Sequence, residues 1–220
     1  MDNIIVLNDK STYPKNILKD NDYNQDLDNY FIQCVSVSRV YDVSSILTNG
    51  LLRPYVVDKK TGNNYVSKIL EEIILKPYKN ITSIDYESIC KAYEDNIVHH
   101  YEKASGIEDY YGKYSVIAFN FDDYDTVNLI DSGYENFKTQ YGGELFDYDT
   151  ANLVYNYTKP VAIFFKVKIC DLPLFERRKL YNDMYCILNN IPLKVYPTSY
   201  IFKDISPEDI IEVKELKNYE

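Results

Sequence analysis

Residues 30–54, YFIQCVSVSRVYDVSSILTNGLLRP, constrain this chain more than any other stretch. Phe31 to Val40 has the apolar, β-branched character of a strand. It gives way to Asp42, whose side-chain oxygen suits the free N–H groups of a helix start. Val43, Ile46 and Leu47 then share one helical face, and Gly50 takes the position where helices commonly end in a glycine. A buried strand should therefore run into a short helix stopped by Gly50. The strand ends in polar residues (Ser36, Ser38, Arg39), a common way to build the floor of a small-molecule site.

A second strong strand signal lies at residues 160–169, PVAIFFKVKI. Val161, Ile163, Phe165, Val167 and Ile169 alternate onto one face, and Lys166 and Lys168 end the other. The first face should be core, packed by Ile46 and Leu47 or by an apolar helical stripe of Ile69, Leu70 and Ile73. That stripe belongs to the first of two helices expected across residues 64–106. Val66, Ile69, Leu70, Ile73 and Ile74 recur with helical period up to Pro77. Thr82 or Ser83 opens the second helix, which Ile89, Ala92, Tyr93, Ile97 and Tyr101 continue toward Gly106.

The remaining elements are shorter. Residues 114–121, YSVIAFNF, form a continuous apolar run suited to a central strand. Residues 176–187 have helical character, and residues 191–202 read as a strand or hairpin around Pro197. Ser206-Pro207-Glu208-Asp209 gives a capped turn with proline in its first position, ahead of a strand from Ile210 to Val213. Ile4 to Leu7 is suited to an edge strand. Residues 8–29, rich in Asn, Asp and Lys, read as an irregular, mobile lead-in. Strands early and late with helices between them predict an α+β fold. The sheet should be mixed and mostly antiparallel, with a two-helix insertion, in a single domain over residues 1–220.

Composition narrows the classes. Charged residues make up 26% and the hydrophobic set 45%, which supports a packed core rather than a disordered chain. A net charge of -10 without a basic stripe argues against nonspecific nucleic-acid binding. Tyrosine is abundant, at 24 residues with no tryptophan, as an AT-rich coding bias would impose. The same rings also suit a recognition surface, since each offers large contact area at low entropy cost. Cys34, Cys90, Cys170 and Cys186 are widely spaced among apolar neighbours, and read as buried free thiols of a reducing compartment. No signal peptide or membrane-length apolar run is present, so a cytoplasmic, soluble protein is expected.

Familiar catalytic signatures are missing: there is no P-loop, G-x-G-x-x-G, H-E-x-x-H or G-x-S-x-G. The two histidines, His99 and His100, are adjacent near a predicted helix end, where imidazolium suits the helix dipole. Asp122, Asp123 and Asp125 offer hard oxygen ligands but lack the spacing of a calcium loop, and read as a solvated turn. No metal is expected.

Two segments carry a family resemblance. SVSR followed by SSILTNGLL, and the late ISPEDIIEV, resemble the first strand and helix and the closing segment of the ADP-ribosyltransferase-like superfamily. The resemblance implies NAD as cofactor and an intracellular transferase that modifies a macromolecule or nucleotide. It makes Ser38 or Arg39 the holder of the nicotinamide or ribose side, with Tyr41 or Tyr114 stacked on the nicotinamide. Glu144, after Gly142 and Gly143, becomes the candidate catalytic carboxylate. A carboxylate there would stabilise positive charge developing on the ribose and orient the acceptor. Without that role, Glu144 reads as a polar turn residue and Arg39 as a surface or salt-bridged strand end. The alternative function is a non-catalytic acidic interaction protein, such as an immunity, inhibitor or accessory protein of a virus or mobile element. Its charge would steer it to a basic protein partner.

Overall fold

The computed structural model describes residues 3–20, 22–40, 42–51, 116–119, 159–193, 197–201 and 203–216. Its central element is the strand Lys159–Lys168, named β4 because three strands precede it: β1 (Ile4–Ile5), β2 (Phe31–Val40) and β3 (Val116–Phe119). The strands β5 (Thr198–Ile201) and β6 (Ile210–Glu215) follow it. The helices are α1 (Val43–Asn49) and α2 (Leu174–Leu188). Among the described residues the sheet has six strands in the order β5-β3-β2-β4-β6, with β1 beside β2. β1 runs parallel to β2, and every other pairing is antiparallel, so the sheet is mixed and mostly antiparallel. The fold is α+β. The helical insertion expected at residues 64–106 lies outside the described residues.

Alternation along β4 decides where the core sits. Val161, Ile163, Phe165 and Val167 are at most 1% exposed and belong to one apolar cluster. β2 pairs with β4 along its whole length, placing Ile32 opposite Val167 and Cys34 opposite Phe165. The same cluster takes Ile46 from α1 and Leu180, Tyr181 and Met184 from α2. The opposite face of the pair is apolar as well: Val35, Ala162 and Phe164 are buried, Leu216 packs against them, and the Lys214 ammonium lies 4.4 Å from the Phe164 ring centre. Burial on both faces explains the unbroken apolar spelling of β4. Lys166 is half-buried, 3.9 Å from Asp209 and 5.2 Å from the Phe31 ring centre, while Lys168 is exposed.

Several expectations need correction. Leu47 was expected in the core with Ile46 but is 55% exposed. In a helix of only seven residues one narrow stripe is covered, and Ile46 and Val43 take it. The lead-in is irregular but firmly packed. Two short 3-10 turns, Lys10–Thr12 and Gln25–Asn29, are closed by Asp9 accepting from the Ser11 N–H and Asn24 accepting from the Asp26 N–H, both at 2.9 Å. These turns aim Leu7, Tyr13, Ile17, Leu18 and Leu27 into the main cluster. The polar residues that spell a loop are the caps of turns that deliver apolar side chains inward.

Cys34 is buried as expected, but Cys170 is exposed and Cys186 half-buried; all three are free thiols. Residues 191–193 are not in a strand, which begins at Thr198. The Pro207–Asp209 turn has proline near its start, although Ser206 makes no side-chain cap.

Candidate functional site

The site expected from sequence begins where β2 ends. Ser38 and Arg39 are consecutive positions there, opposite Val161 and Pro160 of β4. Asp42 then caps α1, accepting from the Ser44 N–H at 2.9 Å and from the Ser44 hydroxyl at 2.5 Å. Those two hydrogen bonds, the hydroxyl one first, hold its carboxyl below the usual carboxylate range.

At the other end of α1, Gly50 has φ 77° and ψ -165°, a region that is essentially glycine-only. A Cβ at this position would stand 2.0 Å from the Ile205 carbonyl oxygen and 3.1 Å from the Pro207 nitrogen. Leu51 and Ile205 exchange backbone hydrogen bonds of 2.9 and 3.0 Å. The strand-helix segment and the late Ile205-Ser206-Pro207 segment are thus clamped together, far apart in sequence but joined through the backbone.

Of the five residues singled out, Ser38 and Arg39 take consecutive positions of β2, which strand alternation assigns to opposite faces of the sheet. Tyr41, Tyr114 and Glu144 lie outside the described residues, as do His99, His100 and the Asp122, Asp123 and Asp125 group. Ser36, read as part of a polar strand end, is 7% exposed and lies opposite Ile163, within the core-facing rows. Ser199 of β5 is 1% exposed and pairs with Ala118, so buried hydroxyls stand on both strands that flank β3.

No family model, curated protein or solved structure matches the chain. Among the described residues no cluster of three or more His, Cys, Asp or Glu is placed to hold a metal ion. No described helix is long and apolar enough to cross a membrane.

Polar groups that the sequence reading passed over lie along α2. Arg177 pairs with Asp28 at 2.5 Å, and the Tyr23 hydroxyl donates to the same carboxylate. Burial, then Asp28, pushes the Tyr23 hydroxyl up to about 12, so it stays a donor. The Tyr23 ring meets Tyr181 edge-on at 5.8 Å, and the Tyr181 hydroxyl donates to the carbonyls of Ile17 and Asp20 at 3.0 and 3.2 Å. This network fastens the lead-in to α2; with its cation and anion paired, it is a structural clasp.

Two acids also sit in the buried stripe of α2: Glu176, 1% exposed, and Asp183, 8% exposed. Burial first, and then the charge of Glu176, pushes the Cys34 thiol far up, which makes it chemically inert. The sequence did carry a signal for these acids. Glu176 and Asp183 fall at i and i+7 in the stripe that buries Leu180 and Met184, where helical spacing calls for apolar residues.

Proposed function

We propose that the chain is an ADP-ribosyltransferase-like protein that binds NAD beside the end of β2 and transfers its ADP-ribosyl group to a macromolecule or nucleotide. One observation carries this reading. The two segments that resemble the family, SSILTNGLL and ISPEDIIEV, meet through the Leu51–Ile205 backbone pair and the glycine that admits the Ile205 carbonyl. Their adjacency supports the reading because a site drawn from both segments needs them side by side.

The donor set at the strand end suits the ligand. A guanidinium at Arg39 is matched to pyrophosphate or ribose oxygens; alternatively, a hydroxyl at Ser38, on the other face of the strand, can donate to ribose. Tyr41 or Tyr114 would stack on the nicotinamide, and Glu144 would be the catalytic carboxylate. NAD would supply an ADP-ribosyl group with nicotinamide as its leaving group. The protein's part is to hold the ribose, exclude water and set a negative charge where positive charge develops.

Paired substitutions test the assignment. Arg39→Glu should weaken NAD binding. Glu144→Gln should leave binding intact and lower turnover, the pattern of an interaction made mainly in the transition state. Equal NAD binding by wild type and Arg39→Glu would contradict the site. An absence of any NAD binding would favour the acidic interaction protein, whose net charge of -10 would steer it to a basic partner.

A further inference from the structure

β6 is the last strand of the sheet among the described residues: β4 covers one side of it, and no described strand lies along the other. The Leu216 N–H donates to the Pro160 carbonyl at 2.9 Å, which sets the alternation of this ladder. Leu216, Lys214 and Glu212 therefore turn their backbone groups to β4, and Val213 and Glu215 turn theirs outward. Ile211 is the extra residue of a bulge, without a partner on β4, and is 47% exposed. Outward donors and acceptors beside an exposed apolar side chain make a template for another strand.

Charge along that edge selects the strand. Glu212 and Lys214 lie opposite Phe164 and Ala162, so both stand on the face of the sheet away from the main cluster. The Lys214 ammonium is 3.4 Å from the Glu212 carboxylate, and both side chains are about half exposed. Charged side chains commonly blunt an edge, but these two flank Val213 with opposite sign. A second β6 laid antiparallel, with Val213 opposite Val213, puts each Glu212 opposite Lys214 of the other copy. The four charges then alternate in sign, and the two Val213 residues exchange N–H to carbonyl hydrogen bonds. A parallel copy in the same register would set Glu212 against Glu212 and Lys214 against Lys214. At the opposite edge, β5 spells Thr-Ser-Tyr-Ile and has no charge to pin a register.

We propose that β6 is a self-recognition edge, through which two copies of this chain pair antiparallel about Val213 and continue one sheet into the other. The interface is isologous, so a single strand supplies both halves. The bulge at Ile211 ends the regular ladder, and Glu215 is held by Lys159 at 3.0 Å, so the pairing is short and the association weak. A net charge of -10 opposes it at low ionic strength. At about 0.15 M salt that general repulsion is screened beyond about 8 Å, while pairs in contact persist.

Sedimentation equilibrium of the full chain at that ionic strength, up to about 0.5 mM protein, tests the edge. The wild-type mass should rise with concentration from that of one chain toward that of two. Glu212→Lys sets lysine against lysine and should associate about tenfold more weakly, although it makes the chain less acidic overall. Lys214→Glu sets glutamate against glutamate and should do the same. An equimolar mixture of the two variants, each shown to be folded by circular dichroism, should recover the association. Every facing pair across the mixed dimer is again opposite in sign. A wild type that stays monomeric over the whole range overturns the proposal. So does association that neither variant weakens, which would put the contact on another surface, or a mixture of folded variants as weak as its components.

Discussion

Gly50 and Ile205 approach so closely that no side chain fits between them: a Cβ on Gly50 would stand 2.0 Å from the Ile205 carbonyl oxygen. The contact fixes the exit of α1 against the turn that leads into β6, and it fixes the frame around the end of β2. The Gly50 N–H closes α1 by donating to the Ile46 carbonyl at 2.8 Å, and the next residue pairs with Ile205.

Gly50→Ala should therefore be far more disruptive than a surface glycine change. The backbone there is a conformation that a Cβ penalises by about 1–3 kcal/mol, and the clash with a backbone carbonyl adds to it. A loss of about 3 kcal/mol or more in urea unfolding is expected. A loss under about 0.5 kcal/mol would mean that Leu51 and Ile205 are not clamped in solution.

Phe165 is the largest side chain on the core face of β4 and is fully buried. Truncation to Ala should cost about 3–5 kcal/mol, because the neighbouring strands and α2 cannot close over the space it leaves. A cost below about 1 kcal/mol would put β4 at the surface.

The thiols should separate by accessibility. Protein unfolded without reductant and then alkylated should carry label on all four cysteines, and a native disulfide would contradict this. In the folded state Cys170 should react first and Cys34 last, since Cys170 is exposed while Cys34 is 1% exposed with its thiol pushed far up by burial. Prompt labelling of Cys34 would mean that the sheet opens at its centre.

Much of this frame was legible in the sequence. Period-two alternation picked out β4 and its core face, and Asp42 and Gly50 marked both ends of α1, because caps and strand alternation are local and obey short-range sterics. What escaped was non-local. The lead-in looked irregular because its caps are polar, and only the sheet and α2 explain why Leu7, Tyr13, Ile17 and Leu18 are buried. Leu47 looked like Ile46 in sequence, but which one is covered depends on what packs against so short a helix. The acids of α2 broke the helical pattern, and their burial follows from a neighbour distant in sequence. At the site, Ser38 and Arg39 could be assigned to the end of one strand, but its alternation puts the two positions on opposite faces. Bringing Tyr41, Tyr114 and Glu144 to them depends on chain lying outside the described residues.

The central claim is that this chain binds NAD at the end of β2, and calorimetric titration of NAD into the wild-type protein tests it most directly. The account predicts a saturable heat with about one site per chain, at NAD up to roughly millimolar, and a clearly weaker one for Arg39→Glu. No detectable heat at that concentration, from a protein shown to be folded, would contradict it.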